Sequence, residues 1–73
     1  MKTTIEISLM MAMKAYDAIT DNRFLEENVI NDFPNTWVIE QEDEELHDHI
    51  LNELVEQLTA FGISENEYQT TNI

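Results

Sequence analysis

Residues 4–19 read TIEISLMMAMKAYDAI, and the period of the apolar residues in this stretch decides the fold. Ile5, Ile7 and Leu9 alternate with Thr4, Glu6 and Ser8, the period of a strand with one buried face. From Leu9 onward the spacing changes. Leu9, Met13, Tyr16 and Ile19 fall three or four residues apart, and MMAMKAYDA is built of good helix formers. The stretch therefore predicts a strand over 3–9 and a helix over 10–20, and with them a small α+β domain. The competing reading is one continuous helix from Thr4 to Ile19, which would make the protein all-α.

Downstream, Thr20, Asp21 and Asn22 supply turn and cap chemistry. Leu25, Val29 and Phe33, with Ile30 beside them, then suggest a shorter helix over 24–33. It closes where Pro34 pushes Phe33 out of the helical region. TWVIEQ, residues 36–41, is rich in aromatic and β-branched residues and reads as the second strand. Trp37 at its start is most simply a buried anchor, and more sharply an interface hot spot. Asp43 can cap a long helix over 43–61, with Glu44 and Glu45 in the first turn where the dipole favours anions. Its stripe is Leu46, Ile50, Leu54, Leu58 and Phe61, broadened by Leu51 and Val55. Gly62, the chain's one glycine, follows as a left-handed cap, with Ile63 packing back on Leu58. Ser64 and Glu67 have capping-box spacing for a last turn before QTTNI, residues 69–73, a polar tail expected to fray.

Residues 1–73 make a single domain, short enough that core burial alone must hold it. Two strands are a thin sheet that needs a helical layer over one face. Its two open edges leave room for a homodimer or for a partner's strand. The longest apolar run, Leu9 to Met13, is far below the roughly 20 residues of a membrane span. One early lysine and this short run do not make a signal peptide. With no cysteine to form disulfides or thiolate metal sites, a reducing cytoplasm is the expected location, the host's if the gene belongs to a phage.

The charge is lopsided as well as large. All three basic residues, Lys2, Lys14 and Arg23, lie in residues 1–23, where three acids balance them. Residues 24–73 hold the other 13 acids and so carry the whole net charge of −13. Such a field disfavours nucleic acid or anionic membrane as a direct partner. The 42% hydrophobic content and six aromatic residues separate the chain from disordered acidic tails. Seven asparagines and eight isoleucines are not the composition expected of salt adaptation.

Chemistry finds little to hold. On a helix Asp43 and His47, or Glu45 and His49, sit one turn apart at metal-ligand spacing, whereas His47 and His49 face different sides. The plainer reading is a solvated acidic helix start, so no metal or other cofactor is expected. Ser8 and Ser64 lie in no nucleophile elbow, there is no glycine-rich phosphate loop, and the abundant carboxylates lack a pocket. The acyl carrier proteins share this size and charge, but their Asp-Ser-Leu attachment site is missing. The expectation is a protein that is not an enzyme.

Six acids crowd into the nine residues 40–48, and acids three or four apart on a helix stand roughly 5–6 Å from one another. Glu45, Asp48 and Glu56 line one side of the long helix, Glu42 and Glu44 begin it, and Glu53 flanks it. Glu26, Glu27 and Asp32 add a second cluster. These nine residues are the candidate partner-binding surface. A folded polyanion of this kind can occupy a groove of lysine and arginine built for phosphates. In size, charge and lack of a motif, the chain resembles the small acidic inhibitors made by bacteriophages, such as anti-CRISPR proteins and anti-restriction DNA mimics. That resemblance implies inhibition of a larger, basic nucleic-acid-binding protein by DNA mimicry. The alternative is an antitoxin or adaptor that covers a basic partner without mimicry. Met10, Met11 and Met13 cannot all point inward from one helix; gap-filling in the core is the plainer reading of them, and one or two left exposed would suit a rival contact surface.

Overall fold

The computed structural model describes residues 1–32 and 34–72. The first strand, β1 (Lys2–Ile7), buries Thr3, Ile5 and Ile7 and turns the residues between them outward, as the alternation requires. It stops at Ile7, and a short 3-10 turn, Leu9–Met11, leads into α1 (Ala12–Thr20). The continuous-helix reading fails because residues from Lys2 to Glu6 pair along their length with β3 (Thr36–Glu40).

The expected α+β class holds, with four strands among the described residues rather than two. The antiparallel sheet has the order β2-β3-β1-β4, where β2 is Ile30–Asn31 and β4 is Tyr68–Asn72. Thr3, Ile5, Ile7, Trp37 and Ile39 form its inner face, and the four apolar residues among them join one core with α1, α2 (Arg23–Asn28) and α3 (Glu44–Ala60). Trp37 is 2% exposed, a core anchor and not a surface hot spot. The opposite face, with Thr4, Glu6, Val38 and Glu40, stays at the surface. The radius of gyration, 11.0 Å, matches the ~11 Å of a compact chain of this length, as one domain requires.

Three local expectations are corrected. The helix expected over 24–33 ends at Asn28, although Asn22 caps it as foreseen, its Oδ1 accepting from the Leu25 N–H at 3.2 Å. Val29 is already extended, and Ile30 pairs with Val38. β-branched residues gain more from that pairing than from another helical turn. The part of the expectation that rested on Phe33 lies outside the described residues. Secondly, residues 69–72, expected to fray, belong to β4, because β1 offers a free edge and Thr70 and Thr71 suit a strand. Ile73 lies outside the described residues.

Thirdly, α1 is rotated. Its buried face is Ala15, Ala18 and Ile19, with Met11 and Ala12 packed beside them. Leu9, Met13 and Tyr16, expected inside with Ile19, are exposed, and Met10 and Met13 are 92% and 81% open to solvent. The 3-10 turn shifts the phase between strand and helix. Alanines also let α1 approach α3 closely enough for Gln57 Nε2 to donate to the Ala18 carbonyl at 3.0 Å.

Candidate functional site

The long helix α3 is built as its sequence foretells. Asp43 Oδ1 accepts from the Glu45 N–H at 2.9 Å, and Glu44 and Glu45 occupy the first turn. At the far end Gly62 takes φ 83°, which a side chain would resist, and the Ile63 N–H reaches back to the Leu58 carbonyl at 2.9 Å. Ile63 is buried beneath this turn, and the Lys14 ammonium lies beside Gly62 where the helix dipole is negative. Capped at both ends and packed along one side, α3 is a rigid support for what its outer face carries.

That outer face is acidic. Glu42, Glu44, Glu45, Asp48 and Glu56 are all exposed, and Glu45, Asp48 and Glu56 share one side of the helix by their spacing. Glu53 belongs elsewhere: it is half-buried toward α2, and its Oε2 accepts from Asn22 Nδ2 at 3.4 Å. Phe24 against His49, with ring centroids 5.2 Å apart, lays α2 beside α3. On α2, Glu27 is paired with Arg23 at 3.1 Å, both side chains well exposed, so this contact neutralises one acid and adds little stability. Glu26 lines a different depression with Tyr16, Val29 and Asn31, and Asp32 sits exposed between β2 and β3. The nine candidate acids are therefore one crest on α3 with outlying members, not one continuous cluster.

The histidines do not form the metal pairs that their spacing permits. His47, expected on a solvated helix start, is 1% exposed and takes the inward position in line with Ile50, Leu54 and Leu58 that had been assigned to Leu46. A polar partner draws it in. The Thr3 hydroxyl, also fully buried, donates its one proton to Asn72 Oδ1 at 2.6 Å, which leaves it to accept from His47 Nε2 at 2.7 Å. On the ring's other side, Nδ1 lies 3.1 Å from Asp48 Oδ1. Hydroxyl, imidazole and carboxylate stand in the order of a hydrolytic triad. Here, however, the hydroxyl is sealed from solvent and its proton is engaged, so no substrate reaches it in this conformation. Asp43 is committed to its cap and His49 to Phe24. Among the described residues no three His, Asp or Glu side chains converge to hold a metal ion.

No family model, no curated protein and no solved structure matches the chain.

Two further surface features remain. One is the apolar group Leu9, Met10, Met13 and Tyr16, whose exposure, foreseen only for the methionines, follows from the phase shift at the 3-10 turn. The other is a groove of about 370 Å³ between α3 and the edge strand, lined by Leu51, Asn52, Val55, Glu65, Tyr68 and Thr70. Partial burial there pushes the Tyr68 phenol above its ordinary pKa of 10.0, and the Glu65 carboxylate adds to the shift. The only signal for the groove was the apolar flank of α3 at Leu51 and Val55, whose neighbour could not be named before β4 was placed.

Proposed function

We propose that the protein is a non-enzymatic inhibitor that lays the acidic crest of α3 into the phosphate-binding site of a larger, basic nucleic-acid-binding protein. The observation that carries this reading is the lack of compensation along a rigid exposed helix. Among the described residues Arg23–Glu27 is the one arginine or lysine ion pair, so Glu44, Glu45 and Glu56 face solvent without an ion-pair partner, while Glu42 shares a depression with Met1 and Lys2. From Glu45 to Glu56 the helix advances about 16 Å, close to half a turn of a DNA duplex. That length suits a groove that grips several successive phosphates. Attraction at long range would speed the encounter, and like-charge repulsion keeps nucleic acid itself away. The phage anti-defence inhibitors, anti-CRISPR proteins among them, are the class whose task fits this chemistry, acting in the cytoplasm of the host.

The second reading, an adaptor or antitoxin that covers its partner without mimicry, is favoured by the exposed Leu9, Met10, Met13 and Tyr16. Affinity purification from the host names the partner, and competition separates the two. A mimic displaces DNA or RNA from the partner, whereas an adaptor binds while nucleic acid stays bound. Replacing Glu42, Glu45 and Glu56 with lysine relieves repulsion and is expected to leave the fold intact while abolishing inhibition. The variant spares Asp48 because of its contact with His47. Single changes are expected to do little, since an exposed charge is worth under about 1 kcal/mol. Inhibition at parental strength by the triple variant, in low salt and high, would reject the crest as the working surface.

A further inference from the structure

The sheet ends in an undefended strand. The Ser8 N–H donates to the Glu67 carbonyl at 2.8 Å, and the same register sets Glu6 opposite Gln69 and Thr4 opposite Thr71. Hydrogen-bonded pairs alternate in an antiparallel ladder, so Glu67, Gln69 and Thr71 make the bonds to β1. The N–H and C=O groups of Tyr68, Thr70 and Asn72 point the other way, where no strand pairs with them among the described residues. Edge strands are ordinarily protected by charge, proline or a bulge. YQTTN carries no charge and no proline, and its register with β1 runs without a bulge.

The groove beside this edge is the second observation. A strand added to β4 would continue the sheet beneath Leu51 and Val55, turning every second side chain into the groove. Glu65 lines that groove, and Asp48 stands one helical turn before Leu51 and Asn52. None of the three basic residues is there: Lys2 lies opposite Glu40, Lys14 beside Gly62, and Arg23 holds Glu27.

We propose that the β4 edge and the Leu51–Val55 groove accept an extended segment of a partner protein as a fifth strand, with apolar residues facing the groove and lysine or arginine at its ends. The inference deepens the proposed function by naming what the partner offers, and it rests on that reading only for the basic character of the segment. A second copy of the chain is the less favoured occupant, since each carries −13 and would oppose its own Asp48 and Glu65.

The test uses the peptide Lys-Thr-Val-Thr-Val-Thr-Lys, whose lysines and valines share one face, and its counterpart with glutamine for lysine. Titration of the lysine peptide into isotopically labelled protein is expected to shift the amides of Tyr68, Thr70 and Asn72 above all others. Thr70→Pro removes an N–H that β1 does not use, so it should keep the fold and weaken binding about fivefold to tenfold. Val55→Lys, on the helix side of the groove, should weaken it without touching the sheet. Absence of shifts at those three amides overturns the proposal. Equal binding of the glutamine peptide overturns the basic occupant. A dimer in sedimentation that Thr70→Pro dissociates overturns it in favour of a second copy. If the crest variant still inhibits the partner while these shifts persist, the proposed function fails and the edge stands.

Discussion

Thr3 is a single hydroxyl with two obligations. It joins the central strand to α3 through His47 and to the edge strand through Asn72, across 44 and 69 residues of chain. Thr3→Val keeps the shape but leaves the buried His47 Nε2 and the Asn72 amide without their partner, so urea denaturation should show a loss of about 1–3 kcal/mol. An unchanged midpoint would mean that water replaces the hydroxyl at no cost. Tyr68 offers a second test at this scale. Burial is the larger cause of its raised pKa and Glu65 the smaller, so Glu65→Gln should lower that pKa only in part in an absorbance titration. Because the folded state favours the neutral phenol, this contribution to stability is complete below pH 10 and is lost as pH rises through the shifted value. Melting temperatures taken from pH 9 upward should fall accordingly, and less steeply in the Glu65→Gln variant.

At the scale of the element, α3 is the spine. Leu54 lies mid-stripe and is fully buried, and Leu54→Ala is expected to cost about 2–5 kcal/mol, a large part of what so small a domain possesses. Glu56→Ala, two positions along on the exposed face, should leave the melting temperature unchanged. Glu53 is the poorer control because Asn22 reaches it. Equal melting temperatures for the Leu54 and Glu56 variants would mean that the stripe does not carry the core. α1 makes the opposite point. Ala15 and Ala18 are inside with Ile19 while the larger Met13 and Tyr16 are outside, because closeness to α3 matters more there than side-chain size.

For the whole molecule the dominant quantity is charge. Thirteen acids and no basic residue follow Arg23, which is itself spent on Glu27. No binding of DNA or RNA is therefore expected in a mobility-shift assay at low salt, where electrostatic association is strongest. A retarded band would reverse the assignment of partner class. Association with the basic partner should in turn weaken as salt rises, since the Debye length shrinks to about 3 Å at 1 M. No described helix is long and apolar enough to cross a membrane.

What the sequence determined by itself was whatever is encoded within one turn or one alternation. Ile5 and Ile7 declare a strand, Asp43 starts α3 and Gly62 stops it, and the stripe through Ile50, Leu54 and Leu58 orients the helix. From these come the α+β class and the spacing of Glu45, Asp48 and Glu56. Tertiary structure decided what depends on distant partners. Val29 and Ile30 leave a helix that their neighbours favour because Val38 is there to pair with, and QTTN becomes a strand only because β1 has a vacant edge. His47 turns inward because Thr3, 44 residues away, gives its ring nitrogen a partner in the core. Glu53 leaves the crest for the same kind of reason, since Asn22, 31 residues away in the chain, reaches it. Local patterns record which face of an element is apolar, but a buried polar group or an edge strand is stable only once its far partner is in place, and that partner is set by the fold.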